Sequence, residues 1–234
     1  LYYVGCDTAY VQPEIAQAMV RILQTAKVDF SLLREERSTG KPLWLLGYRS
    51  EARAMAENLV QQIRATRCRT LVTGCPSSLD AFTKDFPALG LDLDGIEVLH
   101  TAQYLDRLGQ EGRLAPQRPT VSSATVLDGT YLGRKHAIFD PPRRVLQRLP
   151  GLALREMGWS RELAYSAGEP GGAYRLLQPD LSRQMAARVL AEAATTGADV
   201  LVTTCPATKA ALAEAKPSSP RVLDLAELVA QAVG

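Results

Sequence analysis

The sequence predicts an α/β protein made of two pseudo-symmetric Rossmann-like halves, each a mostly parallel sheet flanked by helices. Three observations predict it. Short, mostly apolar strand signals alternate with helical periodicity along the whole chain, the pattern of parallel sheets covered on both faces. One turn is written twice, as RTLVTGCPSSLDAFTKDFP from Arg69 to Pro87 and as DVLVTTCPATKAALAEAKP from Asp199 to Pro217. A segment rich in Gly, Pro, Gln and Arg, GQEGRLAPQRP at 109–119, reads as a linker. It divides the chain into halves at 1–108 and 120–234, near the small end of domain size.

The elements follow in order. LYYVG opens the first half as a short buried strand. A helix from Pro13 to Ala26 puts Ile15, Met19, Ile22 and Leu23 on one face, and Pro13 suits its first turn. VDFSLL reads as a second strand. Residues 50–66 form a helix with Met55, Leu59 and Ile63 in register. TLVTG is a third strand, SSLDAFTKDF a helix and IEVLH a fourth strand. Beyond the linker come the strand ATVLD, a helix near 141–148, LALREM, and a helix from about 180 to 195 ended by Gly197. DVLVTT, ATKAALAEA and a last helix, LAELVAQAV, complete the second half.

Composition narrows the function classes. The 234 residues carry a net charge of +2 from 27 basic and 25 acidic side chains, which argues against nucleic acid as the main partner. Aromatic residues make up 6% of the chain, leaving few stacking platforms. No apolar run approaches the ~20 residues that span a bilayer, and no signal peptide is visible. The expected setting is cytoplasmic, or the inner face of a membrane as part of a complex. Because the chain opens on Leu1, directly in a strand, it reads as a truncated or processed piece. The four cysteines, Cys6, Cys68, Cys75 and Cys205, are too few and too scattered for a secreted disulfide scaffold.

The repeated turn delivers a thiol to the carboxyl edge of a sheet, where open α/β sheets bind ligands. Pro76 and Pro206 fit the first helical position, so Cys75 and Cys205 stand at helix N-termini, where a thiol's pKa is expected to fall. The alternative is a small buried residue in a tight turn.

Several motifs in order carry a resemblance that covers nearly the whole chain. In the second half these are TVLDGTYLGRKHAIFDPPRRVLQRLPGLALREM, AYSAGEPGG and ATTGADVLVTTCPATKAAL; in the first, LYYVGCDTAY, VDFSLLREERSTGKP, TLVTGCPSSL and IEVLHTAQYL. The chain resembles the cysteine-rich "CCG" domains of the B-type subunit of heterodisulfide reductase and of related iron–sulfur oxidoreductase subunits, including those of glycolate, lactate and glycerol-3-phosphate oxidation. The resemblance implies two copies of a cluster-binding motif: one cysteine, an adjacent pair, then Cys-x-x-Cys. Here Cys6 is followed by Ser38-Thr39 at the pair, with Gly40 next, and by Cys75 with Ser78. In the second copy Thr130 takes the first position, Ser166-Ala167 the pair, with Gly168 next, and Cys205 is followed by Thr208.

Three of these ten positions keep cysteine, and Cys68 lies off the pattern. A 4Fe–4S-type cluster calls for four thiolates; counted copy by copy, the chain offers two and one. Hydroxyls are poor substitutes. The expectation is therefore no cofactor and no metal, with Cys6, Cys75 and Cys205 as remaining thiols and Ser38, Thr39, Gly40, Ser78, Thr130, Ser166, Ala167, Gly168 and Thr208 as vestigial cluster positions. The chain is then expected to be a cluster-free structural or docking subunit of an electron-transfer oxidoreductase complex. The resemblance implies a flavoprotein dehydrogenase or a ferredoxin-like iron–sulfur subunit as partners.

Two alternatives stay open. One is a working iron–sulfur or thiol-based electron-transfer or disulfide-reducing subunit, in which Cys6 and Cys75 approach for a disulfide or relay. The other is a small-anion or nucleotide module, with Gly40, Gly168, Gly171 and Gly172 and the helix starts at Ser77 and Ala207 as anion nests and Arg134 as counter-charge. GEPGG lacks the strand–helix context of a dinucleotide fingerprint. His136 suits acid–base work with Asp128 or Asp140, or a plain surface role; His100 reads as structural. The arginines of PPRRVLQRL and SRQMAARVLAEAA read as solvated faces or as a docking surface.

Overall fold

The computed structural model describes residues 1–169, 173–215 and 220–233. The first half runs β1 (Tyr2–Tyr3), α1 (Cys6–Tyr10), α2 (Pro13–Thr25), α3 (Lys41–Leu46), α4 (Arg49–Ala65), β2 (Thr70–Thr73), α5 (Pro76–Asp80), a π-helical turn (Ala81–Asp85), α6 (Phe86–Ala88), β3 (Glu97–His100) and α7 (Thr101–Gln110). The second runs β4 (Ser123–Val126), a π-helical turn (Thr130–Lys135), α8 (Asp140–Gln147), β5 (Ala153–Leu154), a 3-10 turn (Arg161–Leu163), α9 (Ala173–Leu177), α10 (Pro179–Thr195), β6 (Val200–Thr203), α11 (Pro206–Glu214), β7 (Arg221–Asp224) and α12 (Leu225–Val233). The strands form two parallel sheets, β1-β2-β3 and β5-β4-β6-β7.

The strands are apolar because both faces of each sheet are covered. Tyr3 and Leu71 pack outward with Leu59 and Ile63 of α4 and with Phe82 and Phe86. Leu201 packs outward with Ala186 and Val189 of α10. Tyr2 and Val72 of one sheet, and Ala124, Val126, Val200 and Val202 of the other, point into a single shared core. Between the sheets lie α2, α7, α8 and α12, with α2 against α12 and α7 against α8. In chain order α2 corresponds to α8 and α7 to α12, so the contacts are those of a two-fold pairing within one chain. Met19, Ile22, Leu105, Leu108, Leu146, Leu228 and Val229 fill this layer and are nearly inaccessible to solvent.

VDFSLL is not a strand. It keeps one backbone bond to β1, from the Tyr2 N–H to the Ser31 carbonyl at 3.0 Å. The next donors along that edge, Val4 and Gly5, give their N–H groups to the Glu36 carboxylate at 2.8 and 2.7 Å instead. A side chain thus takes the bonds a fourth strand would need. The sheet of the second half gains β7, which no strand signal marked. The segment at 109–119 packs against both halves: Leu114 is buried in the shared core, and the Gln117 and Arg118 N–H groups both donate to the Ala232 carbonyl.

His100 ends β3 and caps α7. Its Nδ1 accepts the Ala102 N–H at 3.1 Å, and Gln103 closes the capping box by accepting the His100 N–H at 3.0 Å. Its Nε2 donates to the Gly74 carbonyl at 3.1 Å, and the ring also reaches the Thr204 carbonyl. One imidazole thus ties together the turns of both halves. Asp224 holds the equivalent place on β7, accepting the Ala226 N–H at 2.9 Å, while Glu227 accepts its N–H at 2.8 Å.

Burial pushes the His100 pKa down to about 4. The unfolded chain therefore binds a proton there at a higher pH than the folded one, so the His100 contribution is complete above pH ~6.5 and lost as pH falls toward 4. Urea titrations across this range should show wild type losing about 3 kcal/mol relative to its value at pH 7 from this group. The loss should be absent in His100→Asn. A difference between the two proteins that does not vary with pH would contradict the neutral, buried imidazole.

Candidate functional site

In each half the chain leaves its first strand to one side and returns on the other. From β1 it passes to the 28–33 segment and then to β2; from β4 it passes to β5 and then to β6. The crevice at such a reversal is where open parallel sheets bind ligands. Cys6 opens α1 after Gly5, whose φ of 81° turns the chain sharply out of β1. Cys75 and Cys205 are the N-cap residues of α5 and α11. The two-fold pairing of the halves turns these crevices toward each other. As a result Cys6, Cys75 and Cys205 all line one cavity of about 250 Å³.

Of the positions matched to the family motif, Ser38, Thr39, Ser78 and Thr130 line the same cavity. The others stand behind it. Gly40 has φ 75°, and a Cβ there would lie 3.0 Å from the Ala52 carbonyl oxygen. Gly168 has φ 82°, a Cβ there would lie 2.7 Å from Ser182 Cα, and its carbonyl accepts from Ser182 Oγ at 2.9 Å. Ser166 Oγ accepts the Gly168 N–H at 3.2 Å, Ala167 belongs to the outer core, and Thr208 is buried with Oγ1 unpartnered. Gly171 and Gly172 lie outside the described residues. The wall also includes Tyr3, Asp7, Lys41, Tyr131, Glu169 and Arg175, which the motif spacing did not single out.

All four cysteines are free thiols. The expectation that a helix N-terminus lowers the Cys205 pKa fails: burial raises it well above the ordinary value, and Cys75 and Glu169 nearby add to the rise. Burial also raises Cys6, partly offset by the Ser38 hydroxyl. Desolvation outweighs the dipole at Cys205 because its thiol is sunk in the wall. Ser77 Oγ lies 3.3 Å from Cys75 Sγ.

Lys41 is the buried cation of the site, with Nζ 2.7 Å from Asp80 and 2.6 Å from Asp85. Asp80 also meets Lys135 at 3.2 Å and His136 Nε2 at 3.1 Å, from the other half. Burial pushes the Asp80 carboxyl up, but Lys41 and Lys135 outweigh it and hold it below the usual range. His136 thus pairs with Asp80, not with Asp128 or Asp140. Asp128 is held by Arg143 at 2.8 Å and Asp140 by Arg161 at 2.8 Å. Arg134 reaches the Thr130 hydroxyl at 3.1 Å and does not line the cavity. The arginines of PPRRVLQRL are engaged internally: Arg143 holds Asp128 and Glu156, and Arg144 and Arg148 both reach Asp106 of the first half at 2.7 Å. On α10, Arg188 lies over the Trp159 and Tyr165 rings at 4.9 and 4.5 Å.

Among the described residues no three His, Cys, Asp or Glu side chains converge on a single metal ion. Ligands to a multi-iron core need not converge on a point; they surround it. Three thiols around one cavity supply the soft donors such a core takes, and the Glu169 carboxyl adds a harder one.

A model of the cysteine-rich domain family matches residues 1–78 and 124–213, one match in each half. The chain belongs to this family. Its relatives include the D-type subunit of dihydromethanophenazine:CoB–CoM heterodisulfide reductase from Methanosarcina barkeri, 31% identical over all of this chain and 59% of the relative. The probable iron–sulfur-binding oxidoreductase FadF of Bacillus subtilis is 30% identical over all of this chain and 34% of the relative. A probable membrane-anchored ferredoxin of Chromohalobacter salexigens is 30% identical over 93% of this chain and 33% of the relative. The chain thus spans 59% or less of the length of these relatives. The first is an oxidoreductase subunit, the second a probable iron–sulfur-binding oxidoreductase and the third a probable ferredoxin, and this overturns the expectation of no cofactor. The physical reason is the fold: thiols counted separately in two copies face the same cavity. Among the described residues no helix is long and apolar enough to cross a membrane.

Lys41→Met leaves Asp80 and Asp85 without their buried cation and should cost about 3–5 kcal/mol. Thermal and urea unfolding read this directly, and a variant as stable as wild type would show that Lys135 and His136 suffice to hold Asp80.

Proposed function

We propose that the chain is the cysteine-rich module of an electron-transfer oxidoreductase complex and holds one iron–sulfur cluster between its halves, with Cys6, Cys75 and Cys205 as thiolate ligands. The observation that supports this reading is the placement of three thiols, two from one half and one from the other, on a single cavity wall. A bound cluster would supply one-electron transfer. The protein's own residues do the rest. The thiols lose their protons on loading. Glu36 holds the backbone at Val4 and Gly5 ahead of Cys6, and His100 holds the Gly74 carbonyl ahead of Cys75. The shared helical layer keeps the two sides at a fixed separation, and the Tyr3 and Tyr131 rings line the cavity beside the thiols.

A docking role within the complex goes with this reading. Its partners are a flavoprotein dehydrogenase or a ferredoxin-like iron–sulfur subunit, met in the cytoplasm or at the inner face of a membrane. Anion or nucleotide binding is disfavoured, because Asp7 and Glu169 line the cavity and Lys41 is already held by two carboxylates.

Anaerobic reconstitution with ferrous iron and sulfide, followed by gel filtration and iron and sulfide analysis, tests the proposal. Wild type should retain both and show a visible charge-transfer band. The triple variant Cys6→Ala, Cys75→Ala, Cys205→Ala should retain neither. Wild type that holds no more iron than the triple variant would remove the reading.

A further inference from the structure

Glu169 is a buried cavity side chain with no counter-charge among the described residues. Its residue is 5% exposed and lines the cavity with the three thiols. Its polar neighbours are neutral: the Ser166 hydroxyl at 3.5 Å, the Thr208 side chain and backbone amides of its own loop. Among the described residues no Lys, Arg or His pairs with it. Arg175, on the same wall, pairs with Glu214 at 3.3 Å, and Lys41 pairs with Asp80 and Asp85.

The other buried carboxylates near the cavity are handled differently. Asp80 has Lys41, Lys135 and His136. Glu36 accepts two backbone N–H groups at 2.7 and 2.8 Å. Glu169 has backbone amides and hydroxyls but, among the described residues, no cation, and an ionised carboxylate buried without a counter-charge costs several kcal/mol. A metal cation in the cavity removes that cost.

We propose that Glu169 supplies an oxygen ligand to the iron–sulfur group, completing a donor set of three thiolates and one carboxylate. This rests on the reading of the cavity as a cluster site. A carboxylate is a harder and less electron-donating ligand than a thiolate. The iron it binds is therefore distinguishable from the other irons, exchanges more readily, and raises the reduction potential above that of an all-thiolate set.

The test compares reconstituted wild type with Glu169→Gln and Glu169→Cys, reading iron loss to a chelator, Mössbauer spectra and reduction potential. Glu169→Gln should fold with undiminished thermal stability before loading, since it keeps the shape and removes a buried charge. It should then lose iron to the chelator about tenfold faster or more. Glu169→Cys should retain iron at least as well as wild type, lose the spectroscopically distinct iron, and show a lower potential. Loaded Glu169→Gln matching loaded wild type in iron retention and spectrum would overturn the ligand assignment while leaving the three-thiol site standing. Wild type that binds no iron would overturn both.

Discussion

The apolar faces of α2, α7, α8 and α12 bury against one another in a two-fold arrangement, and the rest of the molecule follows from that contact. Each helix carries residues inaccessible to solvent on the side facing the other half, such as Ile22, Leu105, Leu146 and Val229. Neither half could expose this surface to water at acceptable cost, since a single Leu or Ile contributes about 1.5–3 kcal/mol on burial. The pairing therefore fixes the angle between the sheets. Both carboxyl edges turn to the same side, and a crevice that each half would own separately becomes one cavity.

Polar contacts then set that orientation more finely. Lys135 and His136 of the second half reach Asp80 of the first, and Arg144 and Arg148 reach Asp106. Lys209 of the second half meets Glu14 of the first at 2.8 Å, and Gln12 donates to the Pro206 carbonyl at 2.8 Å. His100 works at shorter range, holding the carbonyls that precede Cys75 and Cys205 from one buried ring. Burying these groups is tolerable because most are paired on more than one side. Glu169, with hydroxyl and backbone partners only, falls inside the cavity, where a ligand can serve it.

Much of the architecture was legible because the local chemistry is unambiguous. Apolar β-rich runs ending in Cys-Pro had to be strands feeding helices, and Pro76 and Pro206 do occupy first helical positions. Gly197, with φ 61°, ends α10 as its position implied. VDFSLL misled because nothing in its own composition shows that Glu36, downstream, takes the N–H groups of Val4 and Gly5. β7 escaped notice because RVLD is short and carries a charge at each end. The convergence of Cys75 and Cys205 could not be read at all. It depends on helix faces meeting across 130 residues of chain, and no local pattern encodes the angle between two sheets. Glu169 left one usable signal, a lone acidic residue in a loop otherwise made of small and uncharged side chains.

Charge decides which class of ligand such a cavity suits. A phosphate or nucleotide site needs unengaged N–H groups and cations facing inward. Here the inward cations are engaged, Lys41 by two carboxylates and Arg175 by Glu214, and the carboxyls of Asp7 and Glu169 share the wall with the thiols. An anion entering would face those carboxyls on a low-dielectric surface, where like charges repel most strongly. A group carrying positive metal centres meets the reverse. The thiolates and the carboxylate are stabilised by it, and the buried negative charge that the fold leaves uncompensated is neutralised. On the proposed reading, a chain that keeps cysteine at three of the ten motif positions still offers metal donors at this cavity: three thiols and a buried carboxyl line it.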